Sequence, residues 1–369
     1  MRFPEFQGEW EEMKLGEIAE ITKGAGISKE QLSETGHFCI LYGELYTKYK
    51  SEIIQKILSH TNIDSAKLVK SKANDVIIPS SGETAIDIAT ARCVLFSDIL
   101  LGGDINIIRL KNDNGSFLSY QLNGVRKHDI AKVAQGISVV HLYGENLKKL
   151  KVTICSNEEQ NKIAAFLSLI DERISTQNKI IEKYESLIKG IYTYLLGEVD
   201  KYRKLGEFCE IKKGEQINKT ELLETGGYYV MNGGVTPSGF YHSYNAEANT
   251  ISISEGGNSC GYIQYNDVPF WSGGHCYTLV NIEKDIDNRY LFHYLKANEP
   301  QIMELRIGSG LPNIQKKDLI HFCVPLPPLL NQKEIADALD KIITKIELEK
   351  FAMSTYQKQK KFLLQNLFI

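Results

Sequence analysis

Apolar residues recur in two long stretches with alternating steps of four and three. From Ile163 they fall at Leu167, Ile170, Ile174, Ile181, Tyr184, Ile188, Ile191 and Leu195, with Gln177 as the single polar member. A second series runs through Ile335, Leu339, Ile342, Ile346, Met353, Tyr356, Leu363 and Leu367, interrupted by Glu349 and Lys360. Heptad spacing sustained over about four to five repeats predicts two long helices, each with one apolar seam. Ser156 and Glu159 form a capping-box pattern at the first start, and Gly197 is a C-terminal stop. Pro325, Pro327 and Pro328 hold the lead-in to the second helix extended. A helix of roughly 40 residues rises about 60 Å. Seams of large aliphatic side chains cannot stay in water. The economical arrangement packs the two on each other, antiparallel, with a globular domain at each end. The alternative is that each seam meets another protein. Gln177 and Glu349 either fix the register of the seam or mark a loose point in it.

Outside the seams, alternating and apolar runs predict short strands. The first half offers Ile18–Thr22, Asp75–Pro79, Cys93–Phe96 and Ile105–Leu110; the second offers Phe208–Lys212, Thr250–Ser254, Tyr262–Tyr265 and Cys276–Val280. The two halves also resemble each other. LGEIAEITKGAGISKEQLSETGHF from Leu15 aligns without a gap with LGEFCEIKKGEQINKTELLETGGY from Leu205, an offset of 190. GISVVHLYGENL from Gly136 aligns with GSGLPNIQKKDL from Gly308 at an offset of 172, and the match continues into both seams. The chain is therefore a duplicated unit with matching ends and divergent middles. The ends read as scaffold. The middles read either as what distinguishes the two copies or as drifting surface loops.

Composition narrows the class. With 43% hydrophobic and 24% charged residues, the 369-residue chain is ordinary globular protein, long enough for two or more cores. No apolar run is long enough to span a bilayer, and the N-terminal MRFPEFQGEWEEMKLG is polar and acidic, unlike a secretory signal. The seven cysteines form no CxxC pair and read as small buried hydrophobes of a reducing compartment, which predicts a cytoplasmic protein. A formal net charge of −3 argues against nonspecific nucleic-acid coating, so any contact with DNA is local. Catalytic signatures are not found: there is no phosphate-binding GxxxxGK[ST] loop, no Asn-Pro-Pro-aromatic motif, no Pro-Asp…Glu-x-Lys nuclease pattern, and no metal-ligand spacing among the eight histidines. Gly24-Ala25-Gly26 lacks the context of a dinucleotide site.

The whole chain resembles the specificity subunits of type I restriction–modification systems. The resemblance is carried by Glu9-Trp10…Leu15-Gly16-Glu17, by its repeat Leu205-Gly206-Glu207, by GSGLPNIQKKDLIHFCVPLPPLLNQKEIADAL from Gly308, and by the closing KFLLQNLF from Lys361. The first copy departs from that pattern, with Ile137-Ser138-Val139-Val140-His141 in place of the glycine–proline–asparagine run and Thr153-Ile154-Cys155 in place of the prolines. The resemblance implies an α+β fold with an internal pseudo-two-fold repeat. Two mixed α/β target-recognition domains, 1–152 and 199–326, would be separated by two long antiparallel coiled-coil spacer helices, 153–198 and 327–369. Each domain would read one half of a bipartite asymmetric DNA site. Methylation subunits, two of them, would dock along the helices, and restriction–translocation subunits would join. S-adenosylmethionine, ATP and Mg would belong to those partners, leaving this chain a non-catalytic targeting subunit without a metal.

Candidate DNA-binding residues come from glycine-rich loops at equivalent places in both copies. Those glycines are either plain turn residues or points of close backbone approach to a ligand. In the first copy they are Lys23, Tyr42, Ser80, Ser81, Gly82, Gly103, Ser138 and His141. In the second they are Lys212, Lys213, Asn232, Gly233, Ser254, Gly256, Ser272, His275, Ser309 and Asn313. Lysines would hold phosphates, while Ser, Asn and similar side chains would read base edges. The seam residues Ile163, Leu167, Ile170, Ile174, Ile181, Tyr184, Ile335, Leu339, Ile342, Ile346 and Tyr356 would form the coil and partner surface. Alternative readings are the recognition subunit of a related restriction–methylation system outside type I, and a coiled-coil interaction scaffold.

Overall fold

A computed structural model describes residues 2–64, 66, 68–197, 201–308, 310 and 312–368, with backbone alone at 194–197. The chain divides into two compact units, Met1–Lys179 with Lys350–Ile369, and Ile180–Glu349. The first long helix, Asn157–Gly197, and the second, Leu329–Asn366, each contribute a segment to both units.

In the first unit a five-stranded sheet runs in the order Ala19–Lys23, Ile105–Leu110, Asp75–Pro79, Arg92–Val94, Ile53–Ile54. The neighbours are antiparallel except the last pair. In the second unit the order is Glu210–Lys213, Cys276–Val280, Thr250–Ser254, Ile263–Asn266, all antiparallel. The registers correspond: Ile21 faces Ile108 in one sheet as Ile211 faces Leu279 in the other. Asp75–Pro79 and Thr250–Ser254 are buried along their whole length. Gly115–Asn123 and Asn288–Ala297 each cover one face of their sheet. The predicted strands are thus present with ends shifted by a residue or two. Sequence reading missed a second small sheet in each unit, around His37–Ile40 and around Tyr228–Met231, because strands of two to four residues display no period.

The repeated Leu-Gly-Glu is a fixed joint. Leu15 and Leu205 are fully buried, and their amides donate to Leu150 and Phe322 carbonyls at 2.8 and 2.9 Å. Glu17 and Glu207 fold back to accept from the Lys14 and Lys204 amides, closing a single helical turn. A side chain at Gly16 or Gly206 would press on Lys148 or Ile320. The match at Gln160 and Gln332 is a second joint. Each is buried at the start of its long helix. Gln160 accepts from the Asn114 amide at 2.8 Å and donates to the Cys155 carbonyl; Gln332 accepts from the Asp287 amide at 2.8 Å and donates to the Pro327 carbonyl. The same side chain thereby ties each long helix to the N-cap of the helix covering the sheet.

The seams are buried as their spacing predicts. In the first unit Ile163, Leu167 and Ile170, with half-buried Ile174, share a core with Tyr356, Leu363 and Leu367. In the second, Ile188, Ile191 and Tyr192 pack against the core containing Ile335 and Leu339. In each unit the segments come from opposite ends of their helices, so they run antiparallel. Ile181 and Ile346 are buried, while Tyr184 and Ile342 are half-buried. The side chain of Leu195 lies outside the described residues. The capping box is half formed. Ser156 caps the Glu159 amide at 3.3 Å, but the Glu159 carboxylate turns to Arg2, accepting two bonds of 2.7 Å. Six cysteines are buried as expected; Cys323 is exposed, because it ends up on the outer face of an edge strand.

Lys360, a polar interruption in the seam pattern, proves to be part of a buried ionic knot. Its ammonium donates to Asp171 on the first helix and to Glu52 in the globular part, and all three side chains are at most 12% exposed. Tyr120 and Ser51 donate to Asp171 at 2.8 and 2.9 Å. Two buried carboxylates thus share one cation, an arrangement that tolerates loss of neither sign alone. Lys360→Ala is expected to destabilise the first unit by about 3–5 kcal/mol, seen as an early transition in urea unfolding. Lys360→Met combined with Glu52→Gln and Asp171→Asn should recover most of that loss.

Candidate nucleic-acid interface

Five loops of each unit gather at one end of its sheet, and the ladders make the two sets equivalent. The first follows the opening strand at Gly24 or Gly214. A Cβ at Gly24 would lie 2.1 Å from the Gly102 carbonyl oxygen, and one at Gly214 would lie 2.3 Å from that of Gly273. Only glycine permits the turn to pass so close to the loop preceding the central strand. The second loop follows Ile40 or Met231, and carries Tyr42 in the first unit and Asn232-Gly233 in the second. The third follows the fully buried strand, at Ser80–Gly82 or Glu255–Gly257. The fourth is Gly102–Asp104 or Gly273–His275. The fifth arches back onto the third: Ser81 pairs with His141, and Gly256 bridges to Asn313. Its start is pinned by a second bridge, Gln135 to His141 or Ile307 to Asn313. Gly136 and Gly308 stand there at φ +126 and +103, so the first copy keeps the loop path despite its divergent residues.

In the second unit the loops enclose a cleft of about 620 Å³. Lys213, Asn232, Gly233, Gly256, His275 and Asn313, all anticipated from sequence, line it. Asn232 Oδ1 accepts from the His275 amide at 3.2 Å, which leaves its amide nitrogen as the donor end. The wall also holds a residue that sequence reading passed over, Glu255. Its Oε1 accepts from Lys213 Nζ at 2.6 Å and from the Tyr277 hydroxyl at 2.9 Å. Burial first, and this carboxylate second, push the Tyr277 hydroxyl well above its ordinary pKa. All three anticipated lysines, Lys23, Lys212 and Lys213, are exposed, and Lys213 is in addition paired with Glu255.

In the first unit Tyr42 and Gly103 border a cleft of about 750 Å³ with Lys29 and Lys48 on its rim. His141 and Ser138 are exposed on the arching loop, and Gly82 is half-buried against Ile88. Ser309 lies outside the described residues.

Four of the anticipated serines do not present a hydroxyl to a ligand. Ser254 is buried and its Oγ donates to the Gly233 carbonyl at 2.7 Å, bracing the loop from beneath. Ser272 is buried under Asn245, which holds both its amide and its carbonyl. Ser80 faces Asp104 from a buried position, and Ser81 is buried in the pairing with His141. Each sits at or beside a strand end, where a one-residue change of phase turns a side chain from solvent to core.

Gly214→Ala and Gly24→Ala are each expected to displace the neighbouring loop and cost about 1–3 kcal/mol. Gly26→Ala, where a Cβ meets nothing within 4 Å, should leave the melting temperature unchanged. Thermal unfolding of the three variants checks this.

Among the described residues no three His, Cys, Asp or Glu side chains gather as metal ligands, and no helix is long and apolar enough to cross a membrane. Comparison with known proteins is consistent across sequence and fold. Residues 7–186 and 199–354 match the family model described as "Type I restriction modification DNA specificity domain". The chain is 36% identical over 147 residues to a Mycoplasma pneumoniae protein named as a type I specificity subunit, the alignment covering 39% of each. It is 23% identical to the type I restriction enzyme MjaVIII specificity subunit of Methanocaldococcus jannaschii, over 100% of this chain and 93% of that one. The chain spans about two fifths of the first two curated relatives it matches. The fold is similar to the crystal structure of a type I restriction–modification S subunit from M. genitalium, with a TM-score of 0.73 and 21% identity, covering 98% of this chain and 96% of that one.

Proposed function

The chain belongs to the type I restriction modification DNA specificity domain family, and from that premise we propose that it is the DNA-recognition subunit of a type I restriction–modification complex. Each copy of the repeat reads one half of a bipartite, asymmetric site. The observation that carries this reading is the pairing of loops. Matched scaffolds present Asp104 where the other presents His275, and His141 where it presents Asn313. Equal frames with unlike side chains suit two half-sites of unlike sequence.

Residues 1–152 and 199–326 act as the target-recognition domains, and 153–198 and 327–369 as spacer helices that set the gap. Lys23, Lys212 and Lys213 hold backbone phosphates; Tyr42, Asn232, His141, His275 and Asn313 contact base edges, with Ser138, Gly82, Gly103, Gly233 and Gly256 shaping the approach. Two methylation subunits dock on the helices and bring S-adenosylmethionine; restriction–translocation subunits bring ATP and Mg. Chemistry, including extrusion of the target base, belongs to them. A net charge of −3 fits a chain whose partners share the work of attracting DNA. The assembly works in the cytoplasm.

Methylation-aware sequencing of DNA from cells expressing the chain with its methylation partner tests this. A bipartite methylated motif with a fixed gap is expected, absent when the chain is absent. Asn232→Ala should relax one half of the motif by roughly tenfold at one position and leave the other half intact. Identical methylation with and without the chain, the partner being active and bound, would overturn the reading.

A further inference from the structure

Glu255 stands out in the cleft of the second unit because its needs are only half met. The residue is 8% exposed. Its backbone is held on three sides: its amide donates to the His275 carbonyl at 2.9 Å, and its carbonyl accepts from the Ile314 amide at 2.8 Å and the Cys260 thiol at 3.0 Å. Lys213 and Tyr277 together orient the carboxylate through Oε1. Oε2 has no hydrogen-bond partner. His275 Nδ1 approaches it to 3.9 Å, too far for a hydrogen bond, and that ring is 63% exposed. A carboxylate oxygen fixed in place, desolvated and unpaired is costly for a fold to keep. The cost is removed when a donor reaches Oε2 from the cleft that Glu255 and His275 line.

We infer that Glu255 Oε2 is a base-reading acceptor that takes the exocyclic amino group of one base in the half-site read by the second unit. This rests on the DNA-recognition reading and deepens it. The major groove offers two such donors, the N4 amino group of cytosine and the N6 amino group of adenine; guanine O6 and N7 and thymine O4 are acceptors that a carboxylate repels. The first unit has Ser80 at the strand position equivalent to Glu255 and carries its acid on Asp104 instead. An acceptor placed differently on the same frame reads a different base step. Glu255 is therefore a specificity residue of one half-site only.

The test uses the full chain assembled with its methylation partner, and duplexes carrying the mapped site. In the half-site of the second unit, each cytosine is replaced in turn by 2-pyrimidinone, which lacks the N4 amino group, and each adenine by purine, which lacks the N6 amino group. For the wild-type chain, one replacement at one position should weaken binding roughly ten- to hundredfold, and its identity tells cytosine from adenine. Glu255→Ala should lose discrimination at that position alone, and Glu255→Gln, which keeps an acceptor oxygen, should restore part of it. Unchanged reading of the other half-site reports that both variants are folded. Losses under twofold at every position of the half-site overturn the inference, as does an equal loss in wild type and Glu255→Ala. The wild-type arm needs no variant to fold. Binding without any sequence preference would instead take down the DNA-recognition reading itself.

Discussion

The structure depends on the burial of two heptad seams that no single globular part could cover. Each unit solves this by using segments of both long helices: the start of one lies with the end of the other, and the shared apolar surface continues into the sheet's core in the second unit and onto Ile53, Phe117 and Tyr120 in the first. Burial at about 25 cal/mol per Å² makes such seams the largest favourable contribution available to long helices. The polar joints then fix how each helix leaves its unit. Gln160 and Gln332 make the same bonds in the two copies, so the angle between helix and sheet is set by side-chain hydrogen bonding as well as by packing.

On that frame the loops are free to differ. Two glycines, Gly24 and Gly214, let backbone cross backbone at a distance no side chain would allow. Bridges from the arching loop lock the opposite wall. What remains is a set of side chains presented from fixed Cα positions, which is what a reader of base edges requires.

Much of this was legible in the sequence, and the part that was not has identifiable causes. The seams and the long strands show because their periods repeat many times. The Leu-Gly-Glu joints show because duplication prints them twice. Lys360 was visible only as an interruption, since its partners Glu52 and Asp171 are remote in sequence and belong to no motif. Glu255 was passed over because one acid among 46 acidic residues carries no local sign of burial. The serines were misjudged for a related reason: composition marks a loop as polar, but the phase at which a strand ends decides whether Ser254 faces a ligand or the Gly233 carbonyl.

The ionic knot at Lys360 also acts as an error check on helix alignment. Heptad seams are nearly self-similar, so a slide of seven residues returns apolar side chains to apolar sites and is only weakly opposed by packing. Sliding the second helix by one repeat would bring Met353 or Leu367 opposite Asp171 and Glu52. Two carboxylates would then face a hydrocarbon with no cation between them, a penalty that dispersion forces cannot offset. The single lysine thus converts a repeating ruler into one with a marked zero.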